Sequence, residues 1–377
     1  MNVEELASHL ISIPTEAPPG NEEPCAAYLR DYFQDLHIEG CDVVFHRFAE
    51  NRANLVVRIG SNGRAALLFS GHLDVVPAGD PSKWDTPPFE PCIRDGRLYG
   101  RGAADMKGGL AAIVKAIESV KDVKLRHGII FVATAGEEVG FDGLKALIRD
   151  GVIKRGEATY GVVGEPTDLH VVRGHKGITI FRITFYGRSA HSSRPELGIN
   201  AVENAARYIL ELLSLKERLR GVQDPDLGST TISTTIIKGG VKENMIPEMC
   251  QIVLDCRRTA LHRPQDIRRE LEKIGEKIKS SSDIPFDLSI EELFSGDTLN
   301  IPRDHPLVKL AEQLLGEESG IAPYVTEAPL YNKLEIPMII LGPGSVEQAH
   351  TTNEYVELKQ LRKAETIYRD LIRRLCI

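Results

Sequence analysis

The sequence predicts an α/β fold that is interrupted by a smaller α+β domain. Up to about residue 170, short apolar runs typical of buried strands alternate with stretches of helical periodicity. After Glu165 the pattern changes to strand, helix, two strands, helix and strand, which is typical of a small sheet with helices on one face. From about residue 295 the α/β pattern resumes. A layered domain that is split in sequence by an insertion accounts for all three observations.

The first part of the chain contains strands that read as continuous apolar runs. We predict strands at NLVVRIG (54–60), AALLFSG (65–71), GIIFVATAG (128–136) and YGVVG (160–164). Apolar residues recur at helical spacing from Lys107 to Lys121, and a shorter helix is expected from Phe141 to Arg149. Strands that alternate with helices in this way indicate a sheet covered by helices.

The insertion has the elements of a ferredoxin-like α+β domain. In order, we predict a strand at 178–189, a helix at about 198–220, β-rich sequence around 229–237, a strand at 250–258, a helix near 264–278 and a strand near 284–290. The α/β pattern then continues with a helix at 305–315, a strand at 336–342 and a terminal helix at 358–375. We therefore expect a discontinuous catalytic domain, residues 1–172 and 292–377, and an inserted domain, residues 173–291.

Composition and charge exclude several classes of protein. The 377 residues are 42% apolar and 27% charged, which is ordinary for a globular chain with two domains. A formal net charge of −8 argues against nucleic-acid binding, which needs clustered positive charge. No apolar run approaches the roughly 18 residues of a membrane span, and the acidic start is unlike a secretory signal. The six cysteines are scattered, as free thiols are. We expect a cytoplasmic protein that binds neither membranes nor nucleic acid.

Potential metal ligands follow four of the predicted strands. His72 and Asp74 come after the strand at 65–71, Glu137 and Glu138 after 128–136, Glu165 after 160–164, and His350 after 336–342. Open α/β sheets bind ligands at the carboxyl ends of their strands, so these side chains are expected to meet at one edge. Asp105 joins them from a glycine-rich turn, GRGAADMKGG (100–109). Taken alone, a histidine is more often structural, and a Glu-Glu pair is more often exposed to solvent. Taken together, several carboxylates at the ends of buried strands must be exposed or paired, because a buried carboxylate is costly without a counter-charge.

The residue types favour a pair of cations at this edge. Mixed imidazole and carboxylate ligands suit zinc, cobalt or manganese, and two such ions need a shared oxygen ligand to lie roughly 3.5–4 Å apart. We assign one ion to His72, Asp105 and Glu165, and the other to Asp105, Glu138 and His350, with Asp105 bridging. Glu137 remains, and its place beside a ligand suits the general base that deprotonates the attacking water. Asp74 is expected to hold the ring of His72.

Several segments, in this order, resemble the two-zinc aminoacylase and carboxypeptidase family of metallopeptidases. They are SGHLDVVP (70–77), LYGRGAADMKGG (98–109), TAGEEVG (134–140) and VGEPT (163–167). The family includes acetylornithine deacetylase, succinyl-diaminopimelate desuccinylase and glutamate carboxypeptidase, and the likeness runs from about residue 10 to the C-terminus. The resemblance implies a zinc-peptidase-like α/β catalytic domain that binds two divalent ions, zinc or alternatively cobalt. It also implies that the matching positions are the ligands, base and Asp74 assigned above.

The insertion carries further matches to the same family. They are RGHKG (173–177), GRSAHSSRPELGINAVE (187–203), Asn244 and LDCR (254–257). The resemblance implies a dimerisation and lid domain, a homodimer, and a His191 that reaches the partner subunit's active site to stabilise the tetrahedral oxyanion. Asn244 and Arg257 would orient the substrate, Arg257 through the substrate carboxylate, and Lys176 is a further candidate contact. The ordinary alternatives are a loop histidine and surface charges.

The C-terminal segment 326–357, TEAPLYNKLEIPMIILGPGSVEQAHTTNEYVE, bears on the substrate. It is particularly similar to the corresponding end of acetylornithine deacetylases, whereas desuccinylases usually show Gly-Thr-Ser/Asp where this chain has Thr326, Glu327 and Ala328. We expect hydrolysis of a small N-acylated amino acid, an N-acetylated basic one such as acetylornithine. A desuccinylase or a dipeptidase would share every metal residue. A non-catalytic binding protein on this fold is disfavoured, because the ligand set and Glu137 are complete.

Overall fold

The structure is a computed structural model that describes residues 1–60, 63–281 and 285–377. Its helices, in chain order, are α1 (Val3–Ile11), α2 (Glu23–Asp35), α3 (Gly108–Glu118), α4 (Glu137–Gly140), α5 (Asp142–Arg149), α6 (Ala201–Arg220), α7 (Pro264–Ser281), α8 (Pro306–Leu315), α9 (Ala328–Lys333) and α10 (Leu358–Cys376). Within the described ranges, no helix is both long enough and apolar enough to cross a lipid bilayer.

The strands alternate with these helices along most of the chain. They are β1 (Cys41–Ala49), β2 (Arg52–Ile59), β3 (Ala65–His72), β4 (Cys92–Arg94), β5 (Arg97–Tyr99), β6 (Ile129–Thr134), β7 (Ala158–Val163), β8 (Val172–His175), β9 (Gly177–Tyr186), β10 (Gln223–Asp224), β11 (Gly228–Ser229), β12 (Thr231–Gly239), β13 (Met249–Arg258), β14 (Asp287–Gly296), β15 (Leu299–Asn300), β16 (Gly320–Ala322), β17 (Met338–Ile340) and β18 (Tyr355–Glu357). Ile284, where the last predicted strand of the insertion was to begin, lies outside the described residues.

The described residues form two compact units. The first comprises Met1–Gly174, Ile301–Gly320 and Thr326–Ile377, and the second comprises His175–Asn300 and Ile321–Val325. The domain boundaries expected from the sequence, at 172/173 and 291/292, stay predictions, because compactness does not by itself define a domain that folds alone.

The first unit is built on a mixed sheet with the strand order β1-β2-β6-β3-β7-β17-β8. The four central strands, β6, β3, β7 and β17, run parallel, and antiparallel strands continue the sheet on either side. Every residue of β6 is buried, as is every residue of β17. Parallel strands are covered on both faces and therefore read as continuous apolar runs, which is why periodicity located them in the sequence. Their carboxyl ends lie at one edge.

The second unit is a four-stranded antiparallel sheet with two long helices. Its strand order, β12-β13-β9-β14, and its chain order, β9-α6-β12-β13-α7-β14, are those of a ferredoxin-like domain. Alternate residues of β13 are buried, starting at Cys250, because only one face of this sheet meets the helices. The core joins these residues to the apolar stripes of α6 and α7, which contribute residues such as Tyr208 and Leu271.

Candidate metal centre

The carboxyl edge of the parallel strands brings together side chains that are remote in sequence. His72 is the last residue of β3, Glu137 and Glu138 open α4 just after β6, and Glu165 follows β7 by two residues. His350 lies in the segment between β17 and β18, and Asp105 lies in the turn before α3. All of these side chains except Glu137 form two clusters, and within each cluster the ligand atoms lie within 4.8 Å of one another.

The first cluster consists of His72, Asp105 and Glu165. Nε2 of His72 lies 3.0 Å from Oδ1 of Asp105 and 3.6 Å from Oε1 of Glu165. Nδ1 of His72 lies 2.8 Å from the backbone oxygen of Asp74, and because a carbonyl oxygen only accepts hydrogen bonds, Nδ1 is the donor. This contact turns Nε2 toward the cluster, and in the neutral ring that binds metals Nε2 would be the nitrogen with a free lone pair.

The second cluster consists of Asp105, Glu138 and His350. Nε2 of His350 lies 3.0 Å from Oε1 of Glu138 and 3.2 Å from Oδ2 of Asp105. Asp105 therefore turns one carboxylate oxygen to each cluster. The two clusters differ in exposure, since the side chain of His72 is 1% exposed and that of His350 is 53% exposed. The second cluster is thus the one open to solvent.

The carboxylates of the two clusters are buried close to one another, which disfavours their charged forms. Burial raises the pKa of Glu165 to about 8, although the nearby His72 offsets part of the effect. Burial also raises the pKa of Glu138. Hydrogen bonds to Asp105 and Glu138 raise the pKa of His350 to about 10. Divalent cations prefer clusters of imidazole nitrogen and carboxylate oxygen, and their charge would relieve the repulsion, so the donor set fits two such ions.

Asp74 contacts residues of both clusters, and it holds the ring of His72 through its backbone oxygen. Its carboxylate does not hold the ring of His72, because Oδ1 is 3.8 Å from Nδ1, and the backbone oxygen makes that contact instead. The carboxylate accepts the backbone N–H of Glu137 at 3.1 Å and that of Glu138 at 3.0 Å. Asp74 therefore fixes the first turn of α4 against the end of β3.

Glu137 lies at the start of α4, next to the second cluster. It follows Gly136, whose φ of 71° lies in the left-handed region and whose Cα closely approaches Arg52, so that a Cβ there would lie 2.1 Å from Nη2. Burial, and then the negative charge of Glu165, raise the pKa of Glu137 well above its usual value. A carboxylate with a raised pKa is a stronger proton acceptor, as a general base must be.

Two buried carboxylates at this edge were not identified from the sequence. Glu354 accepts hydrogen bonds from the turn that carries Asp105. Glu327 accepts the hydroxyl protons of Ser70 at 2.5 Å and Thr134 at 2.9 Å, and so joins the ends of β3 and β6. Both belong to the segment 326–357 that carries the family resemblance. The sequence feature that could have identified Glu354 is an acidic residue directly before the strand-forming residues Tyr355 and Val356.

The remaining candidates belong to the second unit. His191 and Asn244 are exposed and lie on paired segments, since His191 bridges Met245 and the N–H of Ser192 donates to the backbone oxygen of Asn244 at 3.1 Å. Nδ1 of His191 accepts the N–H of Ser193, which leaves its other ring nitrogen to face outward or to a ligand. These two residues are therefore neighbours within their unit.

Arg257 and Lys176, the two cationic residues predicted to contact the substrate, already bond to other groups of the second unit. The guanidinium of Arg257 pairs with both carboxylate oxygens of Asp255, at 2.9 and 3.2 Å. Nζ of Lys176 donates to the backbone oxygen of Ser229 at 2.5 Å. Their roles toward a substrate stay predictions, and for Arg257 such a role requires exchange of its present partner.

Comparison with known proteins identifies the family of this chain. Residues 68–374 match the peptidase family M20/M25/M40. The chain is 34% identical over 328 residues to the acetylornithine deacetylase of Proteus mirabilis (strain HI4320), which spans 86% of this chain and 83% of that protein. It is 33% identical over 378 residues to the acetylornithine deacetylase of Shigella sonnei (strain Ss046), which spans 98% and 96%.

A solved structure shares the fold. The crystal structure of aminopeptidase PepT from Bacillus cereus ATCC 10987 aligns over 100% of this chain and 99% of that one, with a TM-score of 0.79 and 23% sequence identity. The likeness confirms the predicted fold class, an α/β domain with an inserted α+β unit. Because the family match covers most of the chain and the deacetylases are similar along nearly its whole length, the chain belongs to the peptidase family M20/M25/M40.

Proposed function

We propose that the chain is a metal-dependent amide hydrolase that removes the acyl group from a small N-acylated amino acid. The observation that carries the proposal is the sharing of Asp105, whose Oδ1 faces His72 and whose Oδ2 faces His350. One carboxylate between two clusters of nitrogen and oxygen ligands is what two neighbouring cations need. Membership of a peptidase family supports an amide as the bond that is cleaved.

Two divalent cations fit the two clusters. The first cluster would hold one cation and the second cluster the other, with zinc as the favoured ion and cobalt as the alternative. Such ions, when bound, polarise the amide carbonyl and lower the pKa of water. Asp74 keeps the ligands in place, because its backbone oxygen accepts a hydrogen bond from the ring of His72 and its carboxylate accepts one from the backbone N–H of Glu138.

Glu137 is the proposed general base. It accepts a proton from the attacking water as the water oxygen bonds to the amide carbon, and it then passes this proton to the nitrogen as the C–N bond breaks. The products are a carboxylic acid and a free amine. The backbone of Glu137 is held by the carboxylate of Asp74 at 3.1 Å, so that its side chain starts from a fixed point.

The second unit supplies the substrate contacts of the proposal. In a homodimer, His191 would serve the active site of the partner subunit and stabilise the oxyanion. Asn244 and Lys176 would orient the substrate. Arg257 would exchange Asp255 for the substrate carboxylate, a charge-assisted contact of the same geometry.

Acetylornithine is the proposed substrate. Two relatives at 33% and 34% identity are acetylornithine deacetylases, and the segment 326–357 is similar to the corresponding end of that group. The test is a panel of acetylornithine, succinyl-diaminopimelate and simple dipeptides on zinc- and cobalt-loaded protein. We expect the highest kcat/KM on acetylornithine. A higher value on another member of the panel would overturn the substrate while leaving the reaction class intact.

The Glu137→Gln variant tests the mechanism. We expect it to bind two cations as the wild type does and to lose about 10²- to 10⁴-fold in kcat, because the amide cannot accept the proton. The control is Asp122→Asn, an exposed position beyond the far end of α3 that should leave kcat unchanged. Activity retained in Glu137→Gln would remove this residue from its role.

A further inference from the structure

Glu354 is a fully buried carboxylate whose hydrogen-bonding capacity is used within one turn of the chain. Its Oε1 accepts the backbone N–H of Ala104 at 2.8 Å and that of Asp105 at 3.0 Å. Its Oε2 accepts the N–H of Gly102 at 2.9 Å and Nη1 of Arg101 at 2.7 Å. A carboxylate has about four acceptor positions, so all are occupied.

The same turn also wraps around the backbone of Glu354. The N–H of Gly100 donates to the backbone oxygen of Glu354 at 3.0 Å, and β18, which starts at the next residue, pairs with β5. Segment 100–105 therefore forms hydrogen bonds with both the backbone and the side chain of Glu354. Its path is irregular here, because Asp105 has φ −121° and ψ 96° instead of helical values. Such a path needs acceptors for N–H groups that no helix satisfies.

The contribution of Glu354 is geometric, since its charge is matched. Arg101 and Glu354 form an ion pair with side chains that are 3% and 1% exposed. The pair therefore adds no net charge. Glu354 bonds directly to the backbone N–H of Asp105, the residue whose two carboxylate oxygens face His72 and His350.

We propose that Glu354 is a positioning residue for the shared ligand, and that it sets the affinity of both cation sites together through Asp105. The inference rests on the proposed function, because it requires two cations at the two clusters. Glu354 also follows His350 by four residues, so one short segment contributes a ligand to the second cluster and orients the ligand common to both. Residues that position metal ligands typically change metal affinity by about 10- to 100-fold when replaced.

The test uses metal-depleted protein titrated with Co²⁺, followed by visible absorption and calorimetry. In Glu354→Gln the side chain keeps its size, but an NH₂ group replaces one acceptor oxygen and faces N–H donors. We expect both Co²⁺ affinities to fall by about 10- to 100-fold, with an altered absorption spectrum. Glu165→Gln, which belongs to the first cluster alone, should weaken one site only. Glu357→Gln is the matched control, because Glu357 is an acidic residue three positions further along the chain that pairs with the exposed Lys359.

The results distinguish the binding of two cations from the positioning role of Glu354. If the wild type binds no pair of Co²⁺ ions, the proposed function fails. If the wild type binds two and Glu354→Gln matches it, or loses only one site, the positioning role is wrong and the proposed function stands. Circular dichroism checks folding. If Glu354→Gln does not fold, Glu354→Asp replaces it and should weaken both sites less. Failure of both variants to fold, or wild-type affinity in Glu354→Asp, also overturns the inference.

Discussion

At the scale of the residue, burial controls the protonation of a histidine in the second unit as well as that of the candidate metal ligands. His175 is completely buried, with Nδ1 2.8 Å from the backbone oxygen of Lys176, an acceptor that requires the proton on Nδ1. Burial lowers the pKa of His175 to about 4. The ring is therefore neutral in the folded protein over a pH range in which an exposed histidine is charged.

His175 should make the protein less stable in mild acid. Its pKa is about 6.5 in the unfolded chain and about 4 in the folded one, so below about pH 6.5 the unfolded chain binds more protons. Stability from this group is complete above pH 6.5 and is lost as the pH falls toward 4. By about pH 5 the loss is about 2 kcal/mol.

The variant His175→Asn isolates this effect. Asparagine keeps a donor near the position of Nδ1 but does not titrate. Urea unfolding at about pH 7.5 and about pH 5 should show that the variant loses less stability than the wild type by about 2 kcal/mol. An equal loss in both proteins would contradict the prediction. Other groups titrate equally in the two proteins and cancel in the comparison.

Single residues also mark the limit of what the sequence could predict at the site. The strand-end rule placed His72 and Glu165 at one edge, because parallel strands end there. The contact of Asp74 could not be predicted, since the choice between its backbone oxygen and its carboxylate depends on how α4 approaches β3. Glu354 was missed for a similar reason. Apart from Arg101, its partners are backbone N–H groups, which no sequence pattern displays.

At the scale of the element, helix α3 approaches strand β7 so closely that only glycine fits between them. A Cβ on Gly109 would lie 2.1 Å from the backbone oxygen of Gly164. The oxygen belongs to the backbone and a Cβ is fixed to its own Cα, so a rotamer change cannot relieve the contact. Gly164 directly precedes Glu165, and the packing of this helix therefore sets the position of one candidate ligand.

We expect Gly109→Ala to separate α3 from the end of β7. The free energy of unfolding should fall by about 1–3 kcal/mol, as in other overpacked sites, and the Co²⁺ affinity of the first cluster should fall with it. Urea unfolding and Co²⁺ titration measure the two effects. Gly320→Ala is the control, because a Cβ there meets nothing within 4 Å, and its change should stay within about 0.5 kcal/mol. Equal stability of the two variants would contradict the packing argument.

The elements that were predicted are those with a strong period. Buried strands such as β3 and β6, and long amphipathic helices such as α6 and α10, were found within a few residues of their ends. Helix α2 was not predicted, and neither was the small sheet β18-β5-β4. Strands of three residues are too short for a period to emerge, and their existence depends on pairing between distant segments.

At the scale of the whole molecule, the two compact units divide the candidate residues between them. The candidate ligands, Glu137 and Asp74 all belong to the first unit. The chain leaves the first unit after Gly174 and returns to it at Ile301. These two points are close together, because the N–H of Ile301 donates to the backbone oxygen of Arg173 at 2.9 Å. A short linker can therefore join Gly174 to Ile301.

We expect a chain that lacks residues 175–300, with two glycines in their place, to fold and bind two Co²⁺ ions without hydrolysing acetylornithine. Binding survives because the ligands remain, and turnover is lost because His191 and Asn244 are removed. Calorimetry and a hydrolysis assay measure the two properties. The full chain with His191→Ala is the control and should also bind both ions. Turnover by the shortened chain would show that the second unit is not needed.

The distribution of the two clusters along the chain has a consequence for biosynthesis. As the polypeptide leaves the ribosome, the first cluster is complete in sequence once Glu165 has emerged, whereas the second waits for His350, near the C-terminus. A nascent chain therefore contains all the candidate ligands of the first cluster well before it contains those of the second. Premature termination in between would yield a product that has the first set of ligands and lacks His350.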